Sequence, residues 1–368
     1  MKDSISKIFG EVKDPRVVNR CDHKLIDILF IAFCTLLSNG EDYEDMVEFG
    51  NQRKDWLDTV LELPNGIPSH DTFNRVLQLV DPTCLSKSLS SDGTTLLESV
   101  AGKLISFDGK KIRGVSPTSR GNKGLYIMNA WVNDYRLCIG QKRVEDKSNE
   151  ITAIPALLED IDIEDAIVSI DAIGCQRNIA EKIRASKADY LLAVKGNQKD
   201  LLEEISEAFE YSQVTHYSEN WEYDHGRYEE RRCEILEAKA SLSPIQSQRW
   251  PSVNTIVKIT AKRRIGEKTT LETRFYISSL SGKEAQQFND LVRGHWGIEN
   301  LLHWHLDVTF REDASRARLG NAPLNLNILR KMALTRIRQM KDSLSLKKRR
   351  FRAALNQKYL IKILENAF

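Results

Sequence analysis

Between residues 104 and 194 the chain carries five short runs rich in Ile, Val, Leu and aromatic residues, at 104–107, 126–132, 137–142, 166–170 and 190–194. Their order is what most limits the fold. The first three runs are separated only by loops and turns, Asn133-Asp134 among them, and read as a meander of antiparallel strands. Helical patterns at 151–158 and 176–185 lie before and after the fourth run. A three-stranded meander followed by alternating helix and strand is the order of a ribonuclease-H-like mixed sheet, with the first and fourth strands side by side. The fold class expected is therefore α/β.

The 368 residues are too many for one small core, so satellites around a central domain are expected. The first stretch, 1–98, reads as a helical region: an apolar run at 25–37, an acidic amphipathic stretch at 41–62, and a helix start at Ser69-His-Asp-Thr-Phe. It is a candidate for binding DNA ends. The central core is expected over 99–220 and again over 281–320, interrupted by a strand-rich insertion at 221–280. A basic helical tail, 321–368, follows. From Arg330 to Lys362 twelve Lys or Arg stand against the single acid Asp342, so the tail is expected to face phosphates although net charge is only +2. With 41% hydrophobic and 29% charged residues the chain is not of disordered type. The run at 25–37 is broken by Asp27 and falls short of the roughly 20 residues of a membrane helix. Nothing at the start reads as a secretory signal, and the six scattered cysteines read as reduced core thiols; the expected location is the cytoplasm.

Two of the strand-like runs end in acids: Ile-Ser-Phe-Asp108 and Ile-Val-Ser-Ile-Asp171. One Asp at a strand end is more often a turn or cap residue. Two on neighbouring strands repel each other unless a cation lies between them. Mg²⁺ or Mn²⁺, with a preference for hard oxygen ligands, suits such a pair, and a two-ion site sets the ions about 3.5–4 Å apart. A third acid stands on the helical pattern near 285–308, where His295, Glu299 and His303 are spaced by four and form one stripe. Trp296 and Trp304 on the next stripe read as packing residues. Zinc on the His-Glu-His stripe is disfavoured because the His-Glu-x-x-His arrangement is missing. His295 and His303 are candidates for orienting phosphate, water or the glutamate, or are satisfied core histidines. Phosphate contacts are expected from Lys110, Lys111, Arg113, Lys195, Asn197, Arg293, Lys347, Lys348, Arg349 and Arg350, each with a turn or surface ion pair as the plainer alternative.

Taken in order, several blocks resemble the H-repeat-associated transposases, bacterial insertion-sequence enzymes with a DDE triad. They are Gly66-Ile-Pro-Ser-His-Asp-Thr-Phe, Phe107-Asp-Gly-Lys-Lys-Ile-Arg-Gly, Asp146-Lys-Ser-Asn-Glu-Ile, Ser169-Ile-Asp-Ala-Ile-Gly-Cys-Gln, Asp189-Tyr-Leu-Leu-Ala-Val-Lys-Gly-Asn-Gln, and the run from His295 to Asp313. The resemblance spans essentially the whole chain. It implies a ribonuclease-H-like core with a β insertion before the glutamate, a triad of Asp108, Asp171 and Glu299, and two Mg²⁺ or Mn²⁺ ions. It also implies DNA partners, both element ends and target, and a homodimer or higher oligomer on DNA. The implied chemistry is hydrolysis at an element end followed by attack of the freed 3′ hydroxyl on target DNA. One departure bears on the glutamate: the Tyr-x-x-Arg-x-x-x-Glu-x-x-x-x-x-x-Lys signature of related enzymes is not matched, with Val292 and Leu306 at the outer positions and His295 four before Glu299. Asp307 and Glu312 therefore stand as alternative third ligands. A ribonuclease-H-like nuclease without strand transfer, and a non-catalytic DNA-binding descendant, are the rival functions.

Overall fold

The computed structural model describes residues 2–94, 97, 99–115, 124–144, 150–214, 216–224 and 226–365. Residues 146–149, part of one matching block, lie outside them. One nine-stranded sheet runs through the centre of the chain. Its first part is the meander β1 (Leu104–Ile112), β2 (Leu125–Val132) and β3 (Leu137–Val144), antiparallel throughout. β4 (Ile167–Ile170) then pairs parallel to β1, and β5 (Asp189–Val194) parallel to β4. The helices Glu150–Asp160 and Arg177–Ala185 flank β4 in sequence, as the apolar periodicity indicates. The result is a ribonuclease-H-like mixed sheet.

The strand-rich stretch after 214 does not form a sheet of its own. β6 (His216–Asp224), β7 (Arg227–Glu237), β8 (Thr255–Ile265) and β9 (Lys268–Ser278) make an antiparallel set, and β9 pairs with β5. The insertion thus widens the central sheet to the order β3-β2-β1-β4-β5-β9-β8-β7-β6.

Strand alternation sends successive side chains to opposite faces. Ile105, Phe107, Val168 and Ile170 enter a core with Ile154, Leu157, Ile179 and Ile183 of the two flanking helices. Leu104 and Ile167 enter the other core, beneath helix Ala285–His295, where they meet Phe288 and Val292. By the same alternation Ser106, Asp108, Ser169 and Asp171 lie on the face covered by that helix.

A third core joins the two ends of the chain. Leu29, Phe33, Phe73 and Leu77 from the N-terminal helices pack with Ile298, Leu302 and Leu306 and with Leu329, Met332 and Ile363 near the C-terminus. The long helix Ala322–Arg338 runs through it, and Asn325 Nδ2 donates to the carbonyls of Leu77 and Val80, 2.9 Å each. Ser69 caps helix His70–Leu79 by accepting from Thr72 N–H, as its sequence position suggests. Among the described residues no helix is long and apolar enough to cross a membrane, and all six cysteines are free, four of them buried.

Candidate active site

β1 and β4 stay in register up to Phe107 opposite Ile170. Asp108 and Asp171 are the next residues on each, so parallel pairing brings together two acids remote in sequence. Asp171 fulfils the turn expectation as well, since its Oδ1 accepts from Ile173 N–H at 3.2 Å and caps the turn Ala172–Gly174. The capping leaves it facing a cavity of about 180 Å³ that Asp108, Glu299, His295 and Lys195 also line.

Glu299 comes from the helix over the sheet. The α-helix ends at His295, and the chain continues in wide i→i+5 turns over Ile298–His303 and His305–Thr309. The single long helix expected for this stretch is therefore only partly α-helical. Wide turns of this kind frequently occur at functional sites. Here they leave Ile298, Leu302 and Leu306 in the core while His303 Nδ1 reaches Glu299 Oε2 at 3.3 Å and Asp108 Oδ2 at 3.5 Å.

The electrostatics are those of crowded acids. Burial pushes the Asp108 carboxyl well above its ordinary range, and the hydrogen bond and charge of Glu299 and the charge of Asp171 push it further. Glu299 moves the other way, held down by its hydrogen bond to His303 against its own burial. The two carboxylates thus oppose each other's ionisation, and a cation held by both would relieve that repulsion. Asp108, Glu299 and His303 offer donor atoms within 4.8 Å of one another. The oxygen-rich set fits a hard divalent ion such as Mg²⁺ or Mn²⁺. The His-Glu-His zinc set is not gathered. Instead His295 Nδ1 lies 2.8 Å from Ser169 Oγ, and burial lowers its pKa to about 4, so the ring is neutral at pH 7.

Glu299, rather than Asp307 or Glu312, lies beside Asp108. Asp307 pairs with Lys110 at 2.6 Å. Glu312, fully buried, is enclosed by Lys110 at 3.3 Å, Arg330 at 3.6 Å and Asn327 Nδ2 at 2.8 Å.

Several residues expected to contact phosphate are buried or paired within the chain. Lys110 is spent on Asp307 and Glu312. Arg349 donates to Asp342 at 2.8 Å and to the Ile337 carbonyl at 2.9 Å. Arg350 donates to the carbonyls of Leu36, Gly40 and Thr309 and lies 4.2 Å over the Phe310 ring. Both are interior residues because helix Leu346–Leu355 turns that face inward. His303 is buried too and faces the carboxylates. Lys111, Arg113, Lys195, Lys347 and Lys348 remain exposed. Asn197 is exposed, but its Nδ2 donates to the Ala172 carbonyl at 2.7 Å, bracing the Asp171 turn. Arg293 takes the surface ion pair, with Glu222.

Other residues at or near the site were given no role there from the sequence. Trp296 and Trp304 are 39% and 51% exposed, contrary to the packing role expected. The Arg274 guanidinium lies 4.5 Å over the Trp296 ring, and both residues line the cavity and an adjoining groove of about 780 Å³ shared with Arg231, Arg263 and Arg293. Glu150, hydrogen-bonded to Tyr126, adds a fourth acid close enough for Asp171 to raise its pKa beyond the effect of burial.

Comparison with known proteins bears on the family of the chain. A model of the transposase DDE domain matches residues 100–336, and a model of the region associated with that domain matches residues 6–91.

The chain belongs to the DDE transposase family.

Relatives extend the match to nearly full length. A protein of Escherichia coli O157:H7 named "Putative transposase YncI" is 36% identical, over 98% of this chain and 94% of its own. The Escherichia coli K12 protein named "H repeat-associated putative transposase YhhI" is 34% identical, over 96% of this chain and 95% of its own. The transposase domain contains all three acids of the cluster, and the associated region coincides with the N-terminal helices.

Proposed function

We propose that this transposase cuts DNA at the ends of its element and joins the freed 3′ ends to target DNA, using Asp108, Asp171 and Glu299 as ligands for two Mg²⁺ or Mn²⁺ ions. The observation that carries the reading is the convergence of two strand-end aspartates and a helix glutamate on one cavity. When bound there, divalent ions polarise the scissile phosphate and stabilise charge on the attacking and leaving oxygens.

The remaining work falls to the chain. Crowded, partly buried carboxylates would have to be ionised to hold a cation, so binding would be pH-dependent. His303 fixes the orientation of Asp108 and Glu299 by contacting both through Nδ1. Lys195 and Arg274 on the cavity wall supply positive charge for the phosphodiester beside it. Trp296 offers an exposed ring at the cavity edge on which an unpaired base can stack. Lys111, Lys347 and Lys348 are exposed cations for phosphates farther along the duplex. We propose the cytoplasm as its location and a homodimer or larger oligomer on DNA, which would hold two ends together.

A strand-transfer assay with labelled element ends tests the reading against a nuclease that only cuts. Joined products with a target plasmid are expected in Mg²⁺ or Mn²⁺. Cut ends without joining would establish the nuclease, and DNA binding with neither would establish a non-catalytic descendant.

A further inference from the structure

We propose that Lys331, buried in helix Ala322–Arg338, is a positioning residue: through Asn129 it fixes the His303 ring so that Nδ1–H is the edge presented to Asp108 and Glu299. The inference deepens, and rests on, the reading of that cluster as the reaction centre.

A lysine side chain in its ammonium form has three donors and no acceptor. Lys331 Nζ donates to Asn129 Oδ1, and to Gln141 Oε1 at 2.6 Å, which sets the carbonyl end of Asn129 toward Lys331. The other end agrees independently. Asn129 Nδ2 lies 3.2 Å from the Ile127 carbonyl and 3.3 Å from the Asp108 carbonyl, both acceptors only. The amide therefore cannot be turned over without setting donor against donor and oxygen against oxygen.

That same Nδ2 lies 3.3 Å from His303 Nε2. An amide NH₂ donates and does not accept, so Nε2 must present its lone pair and the ring proton must sit on Nδ1. Nδ1 is the atom 3.3 Å from Glu299 Oε2 and 3.5 Å from Asp108 Oδ2. His303 is thereby a hydrogen-bond donor to the acids and not a nitrogen ligand competing with them. The orientation originates on the C-terminal helix, passes through a residue of β2, which pairs Asn129 directly with Asp108, and ends on the carboxylates.

Burial makes this relay obligatory. Asn129 is wholly buried, Lys331 is 1% exposed and His303 4%. Bulk water cannot substitute for a missing partner. Without Lys331 the Asn129 amide is free to present Oδ1 to His303, which moves the proton to Nε2 and leaves a lone pair on Nδ1 facing two acids.

The ¹⁵N spectrum of the histidine rings in the metal-free, full-length protein reads this directly, with His303→Gln identifying the signal. In the wild type Nδ1 is expected protonated and Nε2 unprotonated. Asn129→Asp keeps a partner for Lys331 but sets an acceptor oxygen opposite His303, and should place a proton on Nε2. Lys331→Met should give a mixed or reversed tautomer; if it fails to fold, Lys331→Gln, which can turn either a donor or an acceptor toward Asn129, replaces it with the same expectation. Should Lys331 only tether its helix to the sheet, stability would fall while the ring pattern stayed the same. A wild-type ring protonated at Nε2 alone, or an Asn129→Asp spectrum identical to wild type, overturns the proposal. Mn²⁺ titration supplies the second readout, with Asn129→Asp expected to change the affinity about 10–100-fold. Unchanged affinity would overturn the positioning role. A wild type with the expected tautomer that takes up no Mn²⁺ would instead sink the metal reading and leave the tautomer assignment standing.

Discussion

Three acids downstream of Val292 compete for the part of third carboxylate, and their partners separate them. Asp307 and Glu312 are committed to Lys110, whereas Glu299 is held between Asp108 and His303. Glu299→Gln is expected to weaken Mn²⁺ binding by at least the 10–100-fold typical of even outer groups, about ten times more than Asp307→Asn, as read by isothermal titration. Glu312 has a different task. Burial raises its pKa, but Lys110 and Arg330 outweigh that and hold it below the ordinary glutamate range. Glu312→Ala leaves two buried cations short of a partner, and about 3–5 kcal/mol of destabilisation is expected in urea unfolding. Its folded pKa lies below its unfolded one, so its contribution is present above the unfolded value and fades as pH falls through the folded one. Asp108 carries the opposite sign. Its folded pKa is raised, so in chelator the free acid disfavours the fold as pH climbs from the ordinary aspartate range toward neutrality. Asp108→Asn should raise Tm at pH 7, and the gain should vanish near pH 4, where the wild-type acid is already protonated; a gain independent of pH would contradict this. Asp108 and Asp171 are legible because each terminates an apolar run. Asn129 and Lys331 are not, since an Asn within a strand and a Lys in a basic helix give no local sign of meeting.

At the level of elements, the meander, the two parallel strands and their flanking helices follow from period and order alone. The stretch from Ala285 onward reads as one helix because apolar spacing survives the change from α to wider turns. Hydrogen-bond pattern, not hydrophobic pattern, distinguishes the two. The insertion is legible as strands but not as part of the central sheet, because the pairing of β9 with β5 joins segments separated by seven intervening elements of secondary structure. A close backbone approach holds the end of β1 against the loop that bears Asp313. A Cβ on Gly114 would lie 2.3 Å from the Asp313 carbonyl and 2.5 Å from that of Ser315. Both obstacles are backbone and cannot turn aside. Gly114→Ala should therefore cost about 1–3 kcal/mol, the range for overpacking, whereas Gly196→Ala, with open space around it, should be close to neutral.

Across the whole molecule, the two chain ends form one core that carries the helix bearing Glu299 on the sheet bearing the aspartates. The basic tail divides accordingly into interior and surface. Charge counting could not separate them, because Arg buries well where backbone carbonyls satisfy its donors. Arg350→Ala strips partners from the carbonyls of Leu36, Gly40 and Thr309, at about 1–3 kcal/mol for each left unpaired. Lys347→Ala and Lys348→Ala should leave stability within about 0.5 kcal/mol, while removing a cation that meets a phosphate should reduce the salt slope of DNA binding by about 1. The most direct test of the three-acid centre is Mg²⁺-dependent cleavage of DNA carrying the sequences that flank the gene. Wild type should cut it, and Asp108→Ala and Asp171→Ala should bind the same DNA without cutting. Cleavage by either variant at the wild-type rate would contradict the account.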